Sequence, residues 1–383
     1  MTTREPDAAV LVVGAGHAGL ATAVVLARHG LPSVVLERGD QIGASWRRRY
    51  EALRLNTERW GSALPGMRIP RTAGRWPSAA EFADYLERYA ARHGVRLRFG
   101  VEVKQVDPDP AGGCQLSTSE GLWRAPAVVL ATGPDEVPRM PGWPGLAGFT
   151  GTVLHAHDYR TAEPFAGARV LVAGGGESGA GIACDLVRGG AAKVWLSVRT
   201  PPYITRPDFL GIPSQALAIL ARGQPAWLFD ANAALMRRAG VGDLSGYGLR
   251  RPPGLHHSAR VRGKAPILDR GFTDLVRRGE IEVVDAVAAL DRGEVVLAGG
   301  ARLGADAVVA ATGYAPNLGP LVGHLGLAGD DGRPVVHGGR THPQAPDLYF
   351  VGYTPVLSGN IREAGRTATR VARAVRNRQR ERR

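Results

Sequence analysis

Two glycine-rich segments of one form, Gly14-Ala-Gly-His-Ala-Gly19 and Gly174-Gly-Gly-Glu-Ser-Gly179, stand 160 residues apart in this 383-residue chain. Each follows a short apolar run, Val10 to Val13 or Val170 to Ala173, and opens an alanine-rich helical stretch. The first glycine (Gly14, Gly174) serves the tight turn, and the second (Gly16, Gly176) lets the backbone approach a pyrophosphate. The third (Gly19, Gly179) lets the helix pack closely on its strand. The helix start then offers free N–H groups and a positive dipole end to the phosphates, with Ser178 beside them in the second copy. Two such units imply two dinucleotides in one chain, and electron transfer between them is the natural use.

The residue that closes each unit separates the two sites. Val34-Val-Leu-Glu37 reads as a second strand ending in an acid, 23 residues past Gly14. A carboxylate there accepts hydrogen bonds from a ribose and repels a 2′-phosphate. Val194-Trp-Leu-Ser-Val-Arg199 ends in a base, 25 residues past Gly174. A guanidinium there suits the 2′-phosphate of NADP. The N-terminal site is therefore expected to hold FAD and the central one NADPH. The alternative is that Glu37 and Arg199 are solvated strand ends.

The expected fold is α/β, with two Rossmann-like dinucleotide-binding domains and the NADP domain inserted in the FAD domain. The spacing divides the chain into residues 1–165 (FAD, first part), 166–309 (NADP) and 310–383 (FAD, return). Two similar segments mark the crossings, Val128-Val-Leu-Ala-Thr132-Gly133 and Val308-Val-Ala-Ala-Thr-Gly313. Each reads as a buried strand ending in small residues, where a turn can pass close to a cofactor. Asp347-Leu-Tyr-Phe-Val-Gly352 reads as a last strand before a terminal helix.

No apolar run approaches the roughly 20 residues that a membrane span needs. The N-terminus leads directly into the first strand, so no signal peptide is expected. Cys114 and Cys184 are the only cysteines and form no CxxC pair. A redox disulfide is therefore not expected, and a reducing, cytoplasmic setting is. The net charge of +13 rests almost wholly on arginine, since only Lys104, Lys193 and Lys264 are lysines. Eight arginines against one glutamate crowd residues 366–383, where Ala364, Ala368, Val371 and Val375 recur at helical spacing. That pattern reads as a helix with a solvated basic face rather than a nucleic-acid or membrane surface. No nucleic-acid partner is expected; a homodimer is compatible with the sequence.

Between the two fingerprints stands Phe149-Thr-Gly151-Thr-Val-Leu-His155-Ala-His-Asp-Tyr159. It resembles the FxGxxxHxxxY/F identifying sequence of the class B flavin-dependent monooxygenases. Gly43-Ala-Ser-Trp46-Arg47, Leu53-Arg-Leu-Asn56-Thr57, Leu64-Pro-Gly66 and Ala311-Thr-Gly-Tyr314 are similar to further segments of that family. Tyr247 to Gly254 and Gly263 to Asp269 resemble its short branch, which includes plant auxin-forming enzymes and many bacterial relatives. The resemblance implies that NADPH reduces the flavin and that oxygen adds to give a C4a-(hydro)peroxyflavin. That species would insert one oxygen atom into a small organic substrate by N- or S-oxygenation, or by attack on a carbonyl or keto acid. The alternative is a reductase or oxidase of the same fold that releases hydrogen peroxide. Because the cofactor carries the hard chemistry, no triad or metal cluster is required.

The resemblance places Trp46 and Arg47 near the flavin. Asn56 is the candidate for a polar contact near the flavin C4a or the nicotinamide ribose, with a turn-capping role before Thr57 as its alternative. His155 is expected to fasten the interdomain linker through hydrogen bonds rather than to transfer protons. His17 and His256-His257 read as loop histidines. Glu177 stands where relatives often carry asparagine, and is expected to turn from the pyrophosphate and cap its helix. The aromatics between Tyr203 and Tyr247 either cover the active site or form ordinary core.

Overall fold

The computed structural model describes residues 8–256, 265–354 and 356–382. The chain opens with Val10–Val13 (β1), helix His17–Arg28 (α1), Ser33–Leu36 (β2), helix Ala79–Arg92 (α2), Leu97–Arg98 (β3) and Val128–Leu130 (β4). Next come Thr152–His155 (β5), Arg169–Ala173 (β6), helix Glu177–Arg188 (α3) and Lys193–Ser197 (β7). Helices Ser214–Leu220 (α4) and Ala226–Gly240 (α5) precede Ile281–Val284 (β8) and Ala307–Ala310 (β9). Leu348–Phe350 (β10) and helix Asn360–Glu381 (α6) close the chain.

These strands form two five-stranded sheets, in the orders β10-β4-β1-β2-β3 and β8-β7-β6-β9-β5, with every pairing parallel. Strands β1, β4, β9 and the edge strand β10 are buried at every residue. That is why their sequences are continuous apolar runs rather than alternating ones. The first sheet takes β10 from the far end of the chain, so the second domain is an insertion. Its edge strand β5 pairs with β9 and lies ahead of residue 166, where the sequence suggested the insertion would begin. A four-residue edge strand with no glycine turn after it carries no local signal of the sheet it joins.

Each fingerprint turn is wedged against the repeated Ala-Thr-Gly segment of its own domain. Gly14 has φ +105°, and a Cβ on it would come 2.8 Å from the Ala131 carbonyl oxygen. Gly174 has φ +134°, and its Cβ would collide with the Ala311 carbonyl. Gly19 and Gly179 have the same relation to the carbonyls of Gly14 and Gly174, so each helix can start only where its residue lacks a side chain.

Helix α1 is sandwiched between the first sheet and α6, whose Ala364, Ala368, Val371, Ala372 and Val375 join the same core. The other face of α6 is basic, and part of it is tied down. Buried Asp347 accepts from Arg378 at 2.7 Å and from Arg382, while Arg370 pairs with Glu363 at 2.7 Å. Helix α2 begins with a capping box, in which Ser78 Oγ accepts the Glu81 N–H and Glu81 accepts the Ser78 N–H. From its buried face Tyr85 donates to the Met67 carbonyl at 2.7 Å and Tyr89 to that of Pro65 at 2.9 Å. These bonds fix the irregular segment that leads from Asn56 to α2.

His155, at the end of β5, fastens the two domains. Its Nδ1 accepts the His157 N–H at 3.0 Å, which places the proton on Nε2, and Nε2 donates to the Gly313 carbonyl at 3.2 Å. Burial lowers its pKa, so the neutral ring these bonds require is favoured. Beside it, Tyr314–Ala315 pairs antiparallel with Val137–Pro138 across the domain crossing. None of the described helices is long and apolar enough to cross a membrane.

Candidate active site

A cleft of about 1030 Å3 runs between the two sheets and takes walls from both fingerprints. Gly14, Gly16, Glu37, Trp46, Asn56, Thr132 and Gly352 line it from the first domain, and Glu177 and Ser178 from the second. A further wall comes from α4 and α5, with Gln215, Leu217, Phe229 and Met236, together with Tyr203 and Leu255.

The first fingerprint fits a dinucleotide. Glu37 turns back over the turn: one oxygen accepts the Ala15 N–H at 2.8 Å and the other the Gly39 N–H at 2.9 Å. Gly16 is the extended residue before α1, no side chain caps that helix, and a Cβ on Gly16 would meet open space. A 12-residue helix therefore points uncapped N–H groups into the cleft, the arrangement a pyrophosphate requires. Thr132, two residues past β4, shares a 2.8 Å hydrogen bond with the buried Tyr353 hydroxyl, which also accepts the Thr132 N–H at 3.2 Å. Burial raises the pKa of Tyr353, so its hydroxyl stays neutral.

The second fingerprint repeats this geometry. Gly176 is extended, α3 carries no side-chain cap, and a Cβ on Gly176 would again meet open space. Arg199 is exposed two residues past β7 and has no carboxylate partner among the described residues. Its charge is thus free for a phosphate.

Several expectations need correction. Arg47 does not line the cleft; its guanidinium donates to Asp84 at 3.1 Å and Glu87 at 2.7 Å on α2. Neighbouring residues on a helical turn face different ways, so Trp46 turns inward and Arg47 outward. Gly313 has φ +86°, and its carbonyl accepts the hydrogen bond by which His155 fastens the domains. His17 is not a loop residue: it opens α1, and its ring packs 5.9 Å from Trp46 and 6.4 Å from Phe82. Desolvation lowers its pKa to about 4, against a smaller opposing pull from Asp135. Glu177 does not cap α3 but accepts the Leu268 N–H at 2.9 Å. Desolvation of its carboxyl raises its pKa to about 7, which the Leu268 N–H and Arg270 only partly offset. His257 and the rest of 257–264 lie outside the described residues.

The aromatics of 203–247 divide between the two readings. Tyr203 and Phe229 are buried against Leu255 at the cleft wall, whereas Trp227 and Tyr247 are exposed. Asn56 makes no hydrogen bond to a described residue and is exposed to the cleft, while the neighbouring Thr57 and Ser62 hydroxyls bond at 2.6 Å. Sequence reasoning missed Gln215, which is buried and donates to the Ser358 carbonyl at 2.7 Å from the cleft wall. It also missed Tyr353 and Arg270. Tyr353 and Arg270 come from irregular segments, where no periodicity marks the inward side, and Gln215 is a polar residue on the short α4.

Residues 11–209 match the family model described as pyridine nucleotide-disulphide oxidoreductase. The chain's own two cysteines are both buried, Cys114 among strands beside the first sheet and Cys184 on α3, so they make no disulphide pair. The chain is 34% identical over 363 residues to the probable indole-3-pyruvate monooxygenase YUCCA4 of Arabidopsis thaliana, covering 94% of this chain and 88% of that one. It is 36% identical over 313 residues to the indole-3-pyruvate monooxygenase YUCCA1 of Oryza sativa subsp. japonica, covering 80% and 77%. A flavin-containing monooxygenase structure from Stenotrophomonas maltophilia matches at a TM-score of 0.72 and 25% identity, covering 99% of this chain and 100% of that one. An oxidized steroid monooxygenase bound to NADP shares the fold at a TM-score of 0.74 and 22% identity, covering 99% and 86%. With two dinucleotide fingerprints facing one cleft and relatives matched over nearly the whole chain, the protein belongs to the class B flavin-dependent monooxygenases, which work with FAD and NADPH.

Proposed function

We propose that this enzyme transfers one atom of molecular oxygen to a small organic substrate bound in the lobe under α4 and α5. The observation that carries this reading is that lobe itself. Leu217, Ala218, Phe229, Met236 and Leu255 form a largely apolar chamber continuous with both fingerprints. An apolar chamber beside a reduced flavin excludes water and holds an acceptor where oxygen is activated. Bound flavin, reduced by NADPH, supplies the oxygen-activating chemistry. The chain binds the two nucleotides, orients them and shields their meeting point.

The relatives named as indole-3-pyruvate monooxygenases favour a 2-oxo acid with an apolar side chain over an amine or sulfide. Asn56 is the polar group proposed to stand nearest the reacting centre, and the setting is proposed to be cytoplasmic. The test begins with anaerobic reduction of the FAD-loaded protein by NADPH, followed by rapid mixing with oxygen under absorbance. A long-lived species distinct from both oxidised and reduced flavin, shortened by added 2-oxo acid with matching product, supports the reading. Immediate return of oxidised flavin with stoichiometric hydrogen peroxide, both with and without substrates, would instead identify an oxidase.

A further inference from the structure

We propose that Arg270 is a positioning residue for the transfer between the two nucleotides. It ties the Arg54–Asn56 backbone of the FAD domain to the second fingerprint, with Glu177 as its counter-charge. The proposal rests on the reading that NADPH and flavin meet in this cleft.

Arg270 follows the short strand Ile267–Leu268, inside the inserted domain. Its main chain is gripped on both sides: Arg188 donates to its carbonyl at 3.3 Å, and Asp269 accepts from Gly271 and Thr273. From that fixed base the side chain crosses the cleft to the other domain. Nη2 donates to the Leu55 carbonyl at 2.6 Å and Nη1 reaches the Arg54 carbonyl at 3.5 Å, while the guanidinium lies 5.5 Å from the centre of the Trp76 ring. Asn56 is the next residue along that backbone and faces the cleft. One cation therefore spans from the domain that holds NADPH to the loop that presents Asn56.

The charges around it point the same way. Arg270 makes no ion pair within 4 Å to a described residue, and burial lowers its pKa. Glu177, the first residue of α3, is the main source of compensating negative charge for it. The titratable and charged groups facing Glu177 are Arg270 after Ile267–Leu268, Tyr50 from the FAD domain and Cys184 on α3 itself, with Arg54 on the far side of Arg270. Desolvation raises the pKa of both Tyr50 and Cys184, which keeps them neutral. Arg270 and Glu177 are thus the charges that respond to each other at this junction. A carboxylate within the NADP fingerprint, awkward beside phosphates, acquires a purpose as partner of the strut.

The test compares the FAD-loaded enzyme with Arg270→Met and Arg270→Lys by hydrogen exchange and by anaerobic reduction with saturating NADPH. The Leu55 amide, bonded to the Pro77 carbonyl at 2.9 Å, should exchange faster in Arg270→Met and recover in Arg270→Lys. The reduction rate should fall roughly 10- to 100-fold in Arg270→Met, with flavin content retained, because small misplacement of reacting groups costs that much. It should also fail to add to the effect of Asn56→Ala. Should Arg270→Met not fold, Glu177→Gln serves instead. The parent's reduction rate should rise with pH through about 7, as Glu177 ionises, and Glu177→Gln should abolish that rise. Unchanged Leu55 exchange and unchanged reduction in Arg270→Met, or an undiminished pH step in Glu177→Gln, would overturn the proposal. A parent enzyme that NADPH does not reduce at all would defeat the functional reading instead, and the exchange experiment would still decide the role of Arg270.

Discussion

The Glu37 carboxylate accepts the backbone N–H of Ala15 at 2.8 Å, joining the end of β2 to the fingerprint turn 22 residues earlier. Its second oxygen takes the Gly39 N–H, so one side chain braces both sides of the nucleotide site. Glu37→Gln keeps the shape but loses the charge and one acceptor. Charge-assisted bonds of this kind contribute about 1.5–3 kcal/mol. FAD affinity is expected to fall roughly 10- to 100-fold, read by fluorescence of released flavin during equilibrium dialysis.

Arg199 should decide between the two nicotinamide cofactors. It is exposed and unpaired among the described residues, so removing it disturbs nothing in the fold. Arg199→Ala is expected to raise the KM for NADPH roughly tenfold or more while leaving that for NADH in place. Equal changes for both in steady-state oxidation assays would refute a 2′-phosphate role.

Gly179 has no room for a side chain, because a Cβ there would collide with the Gly174 carbonyl. Gly179→Ala must push α3 away from its strand, a strain of about 1–3 kcal/mol. The variant should retain FAD, held by the other domain, yet lose most NADPH-driven reduction. Absorbance of bound flavin before and after anaerobic NADPH addition checks both halves.

His17 makes the fold acid-sensitive. Its folded pKa of about 4 lies below the ordinary value of 6.5. Between those values the unfolded chain binds the proton and the folded one does not, so stability is full above pH 6.5 and declines as pH falls toward 4. The loss from this residue is bounded at about 3 kcal/mol. His17→Phe should flatten that part of the profile in denaturant unfolding at pH 7.5 and 4.5; an unchanged profile would assign the acid loss elsewhere.

Much of this protein was legible along the chain because its defining constraints are local. A glycine forced by a neighbouring carbonyl, an uncapped helix start and a strand buried on both faces each leave a pattern within a few residues. Gly14, Gly19, Gly174 and Gly179 therefore stood out, as did the apolar runs of β1, β4, β6 and β9 and the helical spacing of α6. The repeated Ala-Thr-Gly segments stood out as well, although only the structure gave their reason: the Ala131 and Ala311 carbonyls are what exclude a side chain from Gly14 and Gly174.

What the tertiary structure decided is direction and partnership across long separations. Trp46 and Arg47 are adjacent in sequence, yet one faces the cleft and the other is drawn onto α2 by Asp84 and Glu87. Glu177 reaches Leu268 across 91 residues, and Arg270 reaches Leu55 across 215. Sequence by itself determined two nucleotide-binding units and their chemistry, since backbone sterics and phosphate recognition act within one turn. The cleft wall, the domain junction and the state of its buried carboxyl depend on which distant groups desolvate and pair, and folding alone brings those groups together.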